Sequence, residues 1–161
     1  MQKIIDIETV IKIAEGLKTN GKTIVLVGGC FDIIHIGHIQ FLKKAKLEAD
    51  FLFLLLESDT RIKELKGNHR PINPQSDRAS VLESVIFTDY IVLLPHFKSN
   101  EEYDEMIYSL KPDIIATTKT DPGRIHKKRQ AKKLGIRVVE VLDKIENRST
   151  SRIARLLKKE L

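Results

Sequence analysis

The residues with the most chemical potential lie in one stretch, Thr23 to Leu42, TIVLVGGCFDIIHIGHIQFL. A β-branched apolar run (23–27) leads into Gly28 and Gly29. Cys30, Phe31 and Asp32 follow, and then two histidines three apart, His35 and His38. Glycine directly after a strand lets the backbone come close to a ligand or take positive φ. A helix opens near His35 to His38, and the exposed N–H groups of a first turn favour an anion. Histidines at i and i+3 share a helix face. Two imidazoles beside a phosphate would each donate a hydrogen bond to its oxygens and steady the charge that develops as a phosphate bond breaks. Singly, each feature has a plainer reading. Glycines after a strand mark a turn, a lone histidine packs in a core, and His-x-x-His is half a zinc site. No cysteine pair or acid at ligand spacing completes such a site here.

The elements that must hold these residues alternate in type. Apolar positions at Val10, Ile11, Ile13, Ala14 and Leu17 predict a helix over 9–19, closed by Gly21. A buried strand is expected at 23–27, an amphipathic helix at 38–49 and a continuously apolar strand at 50–58. The glycine and prolines of 65–74 predict a loop, with a helix over 74–86 after it. Strands are expected at 89–95, 113–118 and 136–142, and helices at 99–111, 123–135 and 149–161. This alternation predicts one α/β, Rossmann-like domain over residues 1–161: a five-stranded parallel sheet with helices on both faces. An N-terminal helix lies within 1–22 and a C-terminal helix within 149–161. Ligands bind such sheets beyond the carboxyl ends of the strands.

Composition narrows the class. The chain has 161 residues, 42% hydrophobic and 31% charged, which suits one globular domain. No apolar run reaches the ~18 residues of a membrane helix. The first 21 residues lack the basic and unbroken apolar regions of a signal peptide. A single cysteine makes no internal disulfide, so a cytoplasmic, reduced protein is expected. The net charge of +6 is uneven: Arg124 to Leu161 holds 13 Lys+Arg against 4 Asp+Glu. Such an end suits an anionic partner, nucleic acid or a phosphorylated small molecule, or else the solvated faces of two helices. It carries no interleaved aromatics, which weighs against single-stranded nucleic acid.

The string GGCFDIIHIGH resembles the nucleotidylyltransferase superfamily, whose members carry Gly-x-Phe-Asp-x-x-His-x-Gly-His after the first strand. His-Ile-Gly-His also matches a signature of class I aminoacyl-tRNA synthetases, but this chain is too short for their tRNA-binding parts. The block LKGNHRPINPQSDRASVLESVIFTDYIVLLP is similar to the middle of bacterial heptose-1-phosphate adenylyltransferases. These have Leu-Lys-Gly, Arg-Pro-x-x-Pro and a helical arginine at this spacing. RSTSRI sits where that family has Ser-Thr-Thr. Glycerol-3-phosphate cytidylyltransferases share the same skeleton.

The resemblance implies attack by a substrate phosphate on the α-phosphorus of a nucleoside triphosphate, with pyrophosphate leaving and Mg²⁺ bridging phosphates. His35, His38 and Lys66 are then the catalytic candidates. Gly29, Cys30, Phe31, Lys63, Asp121, Ser149 and Thr150 are candidates for nucleotide binding, and Arg78 for a substrate phosphate. Lys63 and Lys66 are expected in a loop that closes over the phosphates, and Ser149 and Thr150 at a helix N-terminus. Asp32 is read as a brace, Cys30 as packing without a redox role, and no residue as a protein metal ligand.

Two stretches depart from the heptose family: the turn TTKTDPG (117–123), where that family has a Gly-Gly-Asp-like turn, and Ser151-Arg152 after Ser149-Thr150. Phosphopantetheine adenylyltransferases generally have Thr where His35 stands. The expected function is therefore nucleotidyl transfer from a triphosphate, ATP first, to a sugar phosphate such as heptose 1-phosphate. Glycerol-3-phosphate cytidylyl transfer using CTP, and a non-catalytic nucleotide- or nucleic-acid-binding domain, are the alternatives. The expected partners are a nucleoside triphosphate and a sugar or polyol phosphate, with no membrane and no nucleic acid. A homodimer is left open. The sugar-kinase domain often fused to this family is not expected within these 161 residues.

Overall fold

The computed structural model describes residues 2–143 and Ile153. The described chain runs β1 (Ile4–Ile5), α1 (Ile7–Thr19), β2 (Ile24–Gly29), α2 (Ile36–Lys46), β3 (Phe51–Leu56), α3 (Asp59–Lys66), α4 (Gln75–Glu83), β4 (Tyr90–Leu93), α5 (Asn100–Leu110), β5 (Ile114–Thr118), α6 (Arg124–Leu134) and β6 (Arg137–Leu142). The strands form one sheet in the order β1-β4-β3-β2-β5-β6, and every paired neighbour is parallel.

A parallel sheet covered on both faces needs apolar side chains on both sides of each central strand. Along β2, Ile24 and Leu26 face one layer and Val25 and Val27 the other; along β3, Phe53 and Leu55 oppose Leu52, Leu54 and Leu56. The first layer takes Val10 and Ala14 of α1, Met106, Ile107 and Leu110 of α5, and Ala131 of α6. The second takes Phe41, Leu42 and Ala45 of α2 with Ala79 and Leu82 of α4. Helix ends follow local chemistry. Asp6 accepts from the Thr9 N–H to start α1, and Ser99 opens α5 with a capping box to Glu102.

Six strands stand among the described residues rather than the expected five. The extra one is the two-residue edge strand β1, held by Ile4 and Ile5 against Ile91 and Val92. Two residues show no periodicity, so only pairing reveals the strand. The second difference is α3. Residues 59–64 carried no helical expectation, and Ile62 is the one buried residue of that helix. Ser58 caps it by accepting from the Arg61 N–H. Lys66 is its last residue, so the loop starts at Gly67. The expected helix at 149–161 lies outside the described residues apart from Ile153, which is helical. No helix among the described residues is long and apolar enough to cross a membrane.

From β2 the chain winds outward through β3 to β4, then returns to β2's other side for β5 and β6. The order therefore reverses at β2, and the crevice beyond the carboxyl ends of β2 and β5 is where such a sheet takes a ligand.

Candidate active site

β2 ends at Gly29, and the chain turns sharply beyond it. Phe31 takes positive φ, 44°, and its ring folds back on Gly29. A Cβ at Gly29 would meet Phe31 Cε2 at 3.0 Å, so a larger residue there requires the Phe31 ring to shift by a few tenths of an ångström. Phe31 is buried and lies 5.1 Å from the His38 ring, centroid to centroid. The turn thus aims the first residues of α2 over the end of β2.

His35 is the N-cap of α2, and its Nδ1 accepts the Gly37 N–H at 3.1 Å. This assigns the ring proton to Nε2. His35 and His38 are stacked, with centroids 3.9 Å apart and planes 22° from parallel. Burial lowers the pKa of both rings. For His38, burial acts together with positive charge on His35 and Lys66 and pushes the value down to about 3. His38 Nδ1 is buried with no hydrogen-bond partner among the described residues. The Lys66 side chain is exposed, yet it also acts on the Cys30 thiol, whose pKa burial raises overall. The structure therefore brings together His35, His38, Lys66 and the Gly29–Phe31 backbone. Lys66 lies close enough to lower the pKa of His38, so two imidazoles and a cation share the carboxyl end of β2, a grouping suited to an anionic ligand such as a phosphate.

The depressed His38 pKa links stability to pH. In the unfolded chain the ring protonates near 6.5, but in the fold only near 3. Above 6.5 the difference costs nothing. As pH falls through the window between these values, the unfolded state takes up a proton the folded state refuses, and stability drops by up to ~1.4 kcal/mol per pH unit. The unfolding free energy of His38→Ala should therefore fall less steeply than wild type between about pH 6 and 4, measured by urea denaturation. Parallel slopes would show that His38 protonates normally in the fold.

The other candidates are placed differently. Lys63 lies exposed one turn before Lys66, so both stand on helix α3 rather than in the expected loop. Arg78 is not open to a substrate phosphate. Its side chain is 0% exposed. Its guanidinium donates to the carbonyls of Asn73 (3.1 Å), Cys30 (2.5 Å) and Glu57 (2.8 Å) and to Asp59 (2.7 Å). It braces the histidine loop instead, a use of the five-donor fork that sequence spacing does not reveal. Asp121 holds its own turn, accepting from Thr117 Oγ1 (2.7 Å), the Gly123 N–H (2.7 Å) and Lys127 (2.5 Å). Burial opposes its ionisation, but Lys127 and these hydrogen bonds outweigh it and lower its pKa. Ser149 and Thr150 lie outside the described residues.

Asp32 is a brace, as expected. It accepts from Arg70 Nε (2.6 Å) and from the N–H groups of Ile72 and Asn73 (2.9 and 3.0 Å), which ties the loop after α3 to the histidine motif. Arg70, which opens the Arg-Pro-x-x-Pro block, takes a bracing role that the motif alone does not assign. Its Nη2 is buried without a hydrogen-bond partner among the described residues. The basic end is largely paired where it is described. Arg129 forks onto Asp104 (2.8 and 2.9 Å), and Arg124 and Lys128 reach Glu140 (2.6 and 3.3 Å).

Comparison with known proteins agrees with this geometry. The cytidylyltransferase-like family model matches residues 26–156. The bifunctional protein HldE of Campylobacter fetus subsp. fetus is 36% identical over 160 residues, covering 98% of this chain and 32% of that protein. HldE of Nitratiruptor sp. is 40% identical over 149 residues, covering 92% and 30%. The chain thus spans about a third of the length of these relatives. A lipopolysaccharide core biosynthesis protein from Thermoplasma volcanium superposes with a TM-score of 0.64 at 25% identity, covering 78% of this chain and 100% of that one. A pantoate-beta-alanine ligase from Francisella tularensis, complexed with beta-gamma ATP and beta-alanine, shares the fold at TM-score 0.64 and 16% identity, over 94% of this chain and 69% of that one. The chain belongs to the cytidylyltransferase-like family, and with it to the nucleotidyltransferases.

Proposed function

We propose that the protein transfers a nucleoside monophosphate, from ATP first, to a sugar phosphate such as heptose 1-phosphate, releasing pyrophosphate. The observation that carries this is the stacked pair His35 and His38 within reach of the Lys66 charge at the carboxyl end of β2. The similarity to HldE proteins supports the heptose acceptor over glycerol 3-phosphate.

In this mechanism the acceptor's own phosphate is the nucleophile, already ionised at neutral pH, so no protein base is needed. The neutral His35 donates from Nε2 to the triphosphate. His38 enters the reaction neutral, and the arriving phosphates offset the burial and the nearby Lys66 charge that lower its pKa. Both rings then hold charge as it moves onto the leaving pyrophosphate. Lys66 adds an exposed cation from the end of α3. Among the described residues no three His, Cys, Asp or Glu side chains gather as metal ligands. A magnesium ion fits this site as one carried in on the phosphate oxygens, where it would neutralise charge on the triphosphate.

Pyrophosphate release, screened over four triphosphates with heptose 1-phosphate and glycerol 3-phosphate, tests the proposal. ATP with heptose 1-phosphate should give the highest kcat/KM. No release with any pair would reject the transfer, and a CTP preference with glycerol phosphate would move the acceptor. Lys66→Ala should lower kcat by roughly tenfold or more while nucleotide Kd changes less, since an exposed lysine at a helix end tightens on the phosphates mainly in the transition state. Equal losses in the two quantities would make Lys66 a binding residue only.

A further inference from the structure

The carboxyl end of β3 holds a second cluster that the triphosphate chemistry does not use. Glu57 follows Leu56 directly, and its backbone is clamped twice. Its N–H donates to the Gly29 carbonyl (3.1 Å), and its own carbonyl accepts from Arg78 (2.8 Å). The strand's alternation places it with Phe53 and Leu55 on the α5 side of the sheet. There the Tyr103 hydroxyl donates to Glu57 Oε2 at 2.7 Å. The Tyr103 ring is fixed in turn edge-on against Phe97, at 4.8 Å.

A half-buried carboxylate is costly unless something uses it. The surrounding cations form their ion pairs with other acids, Arg61 with Glu64, Arg78 with Asp59 and Lys127 with Asp121, and act on Glu57 only through space. Among the described residues the Glu57 carboxylate accepts one hydrogen bond, from Tyr103, although a carboxylate has about four acceptor positions. It also lies close enough to influence the Cys30 thiol in the histidine loop. A rigid acceptor at the carboxyl end of a central strand, beside the transfer site, suits a neutral donor. A substrate phosphate would be repelled; a hydroxyl would not.

We propose that Glu57, oriented by Tyr103, is the specificity-determining residue that accepts a hydroxyl of the phosphorylated acceptor. This rests on the transfer reading above. A sugar or polyol phosphate offers a hydroxyl at one end and its nucleophilic phosphate at the other, so a hold on the hydroxyl turns the phosphate towards the triphosphate. The ribose of the nucleotide carries the same chemistry, and the kinetics separate the two. Tyr103 acts through Glu57 and is a positioning residue.

The test pairs steady-state kinetics with calorimetric binding of heptose 1-phosphate and glycerol 3-phosphate in the presence of a non-hydrolysable triphosphate. Wild type, Glu57→Gln and Tyr103→Phe are compared. Glu57→Gln keeps the shape and a partner for Tyr103 but removes the charge. It should raise acceptor KM and Kd about tenfold, as for loss of a hydrogen bond to a charged group, with nucleotide KM unchanged. Tyr103→Phe should act in the same direction, less strongly. Unchanged acceptor affinity in Glu57→Gln overturns the assignment, and so does a rise in nucleotide KM, which would give the carboxylate to the ribose. If wild type binds heptose 1-phosphate without transferring to it, and Glu57→Gln weakens that binding, the transfer reading falls and the subsite stands. If wild type binds neither acceptor, the subsite falls.

Discussion

His38→Ala is expected to lower kcat for nucleotidyl transfer by ~10²-fold or more, the loss typical when one preorganised donor to a developing charge is removed. The reason is positional. The ring is held between His35, at 3.9 Å, and Phe31, at 5.1 Å, over the end of β2, so it has no search to make when charge moves onto the pyrophosphate. It enters the reaction uncharged, because burial first, and then its neighbours His35 and Lys66, keep its pKa near 3. Its interaction therefore strengthens as negative charge arrives, and kcat and kcat/KM should fall together. The Tm should stay close to wild type. Lost ring contacts are partly offset by removal of a buried nitrogen that has no partner among the described residues. The check is kcat and Tm on the same preparation. Wild-type turnover in this variant, with any accepted substrate, would remove His38 from the mechanism.

Arg78→Met is expected to act on the fold itself. Removing one partner of a buried charged network typically costs about 3–5 kcal/mol, which in a chain of this size is a fall in Tm of roughly 10 °C. Methionine fills much of the volume but leaves the carbonyls of Cys30, Asn73 and Glu57 without their donor, in a place water does not easily reach. Since Cys30 lies inside the histidine motif, activity should fall with stability. Arg78→Lys is the discriminating variant. One ammonium cannot reproduce a fork that reaches three carbonyls and a carboxylate, so it should be destabilised too. If instead Arg78→Lys melts within about 2 °C of wild type and only acceptor KM rises, the arginine serves a substrate phosphate after all. Differential scanning calorimetry with kinetics on both variants decides the matter.

The parallel α/β architecture was legible in the sequence, and so was the grouping of His35 with His38 that makes the candidate site, because both rest on local signals. Continuous apolar runs such as Phe51–Leu56 occur where a strand is covered on both faces. Glycine after β2 and two histidines at i, i+3 announce a tight approach and a shared helix face. The bracing role of Asp32 also followed from chemistry, since a phosphate nucleophile needs no base. Features without a local signal stayed hidden. β1 is two residues long and exists only through pairing with β4. Helix α3 buries only Ile62, so no apolar stripe marks it, and its capping serine was the one available clue.

Tertiary structure alone decided what the polar side chains face. An arginine on a helix reads the same whether it meets water, a ligand or three backbone carbonyls. Arg78 became a brace only because α4 packs it beneath the histidine loop. Asp121 and Lys127, six apart, were a turn acid and a helix base until folding joined them. Glu57 and Tyr103, 46 positions apart, carry no motif, and their hydrogen bond arises where β3 meets α5. The physical reason is range. Backbone preference and burial periodicity act over a few residues and are written locally. The partner of a charge or a hydroxyl is whatever the sheet order brings within 3 Å, and here that order folds back on itself at β2.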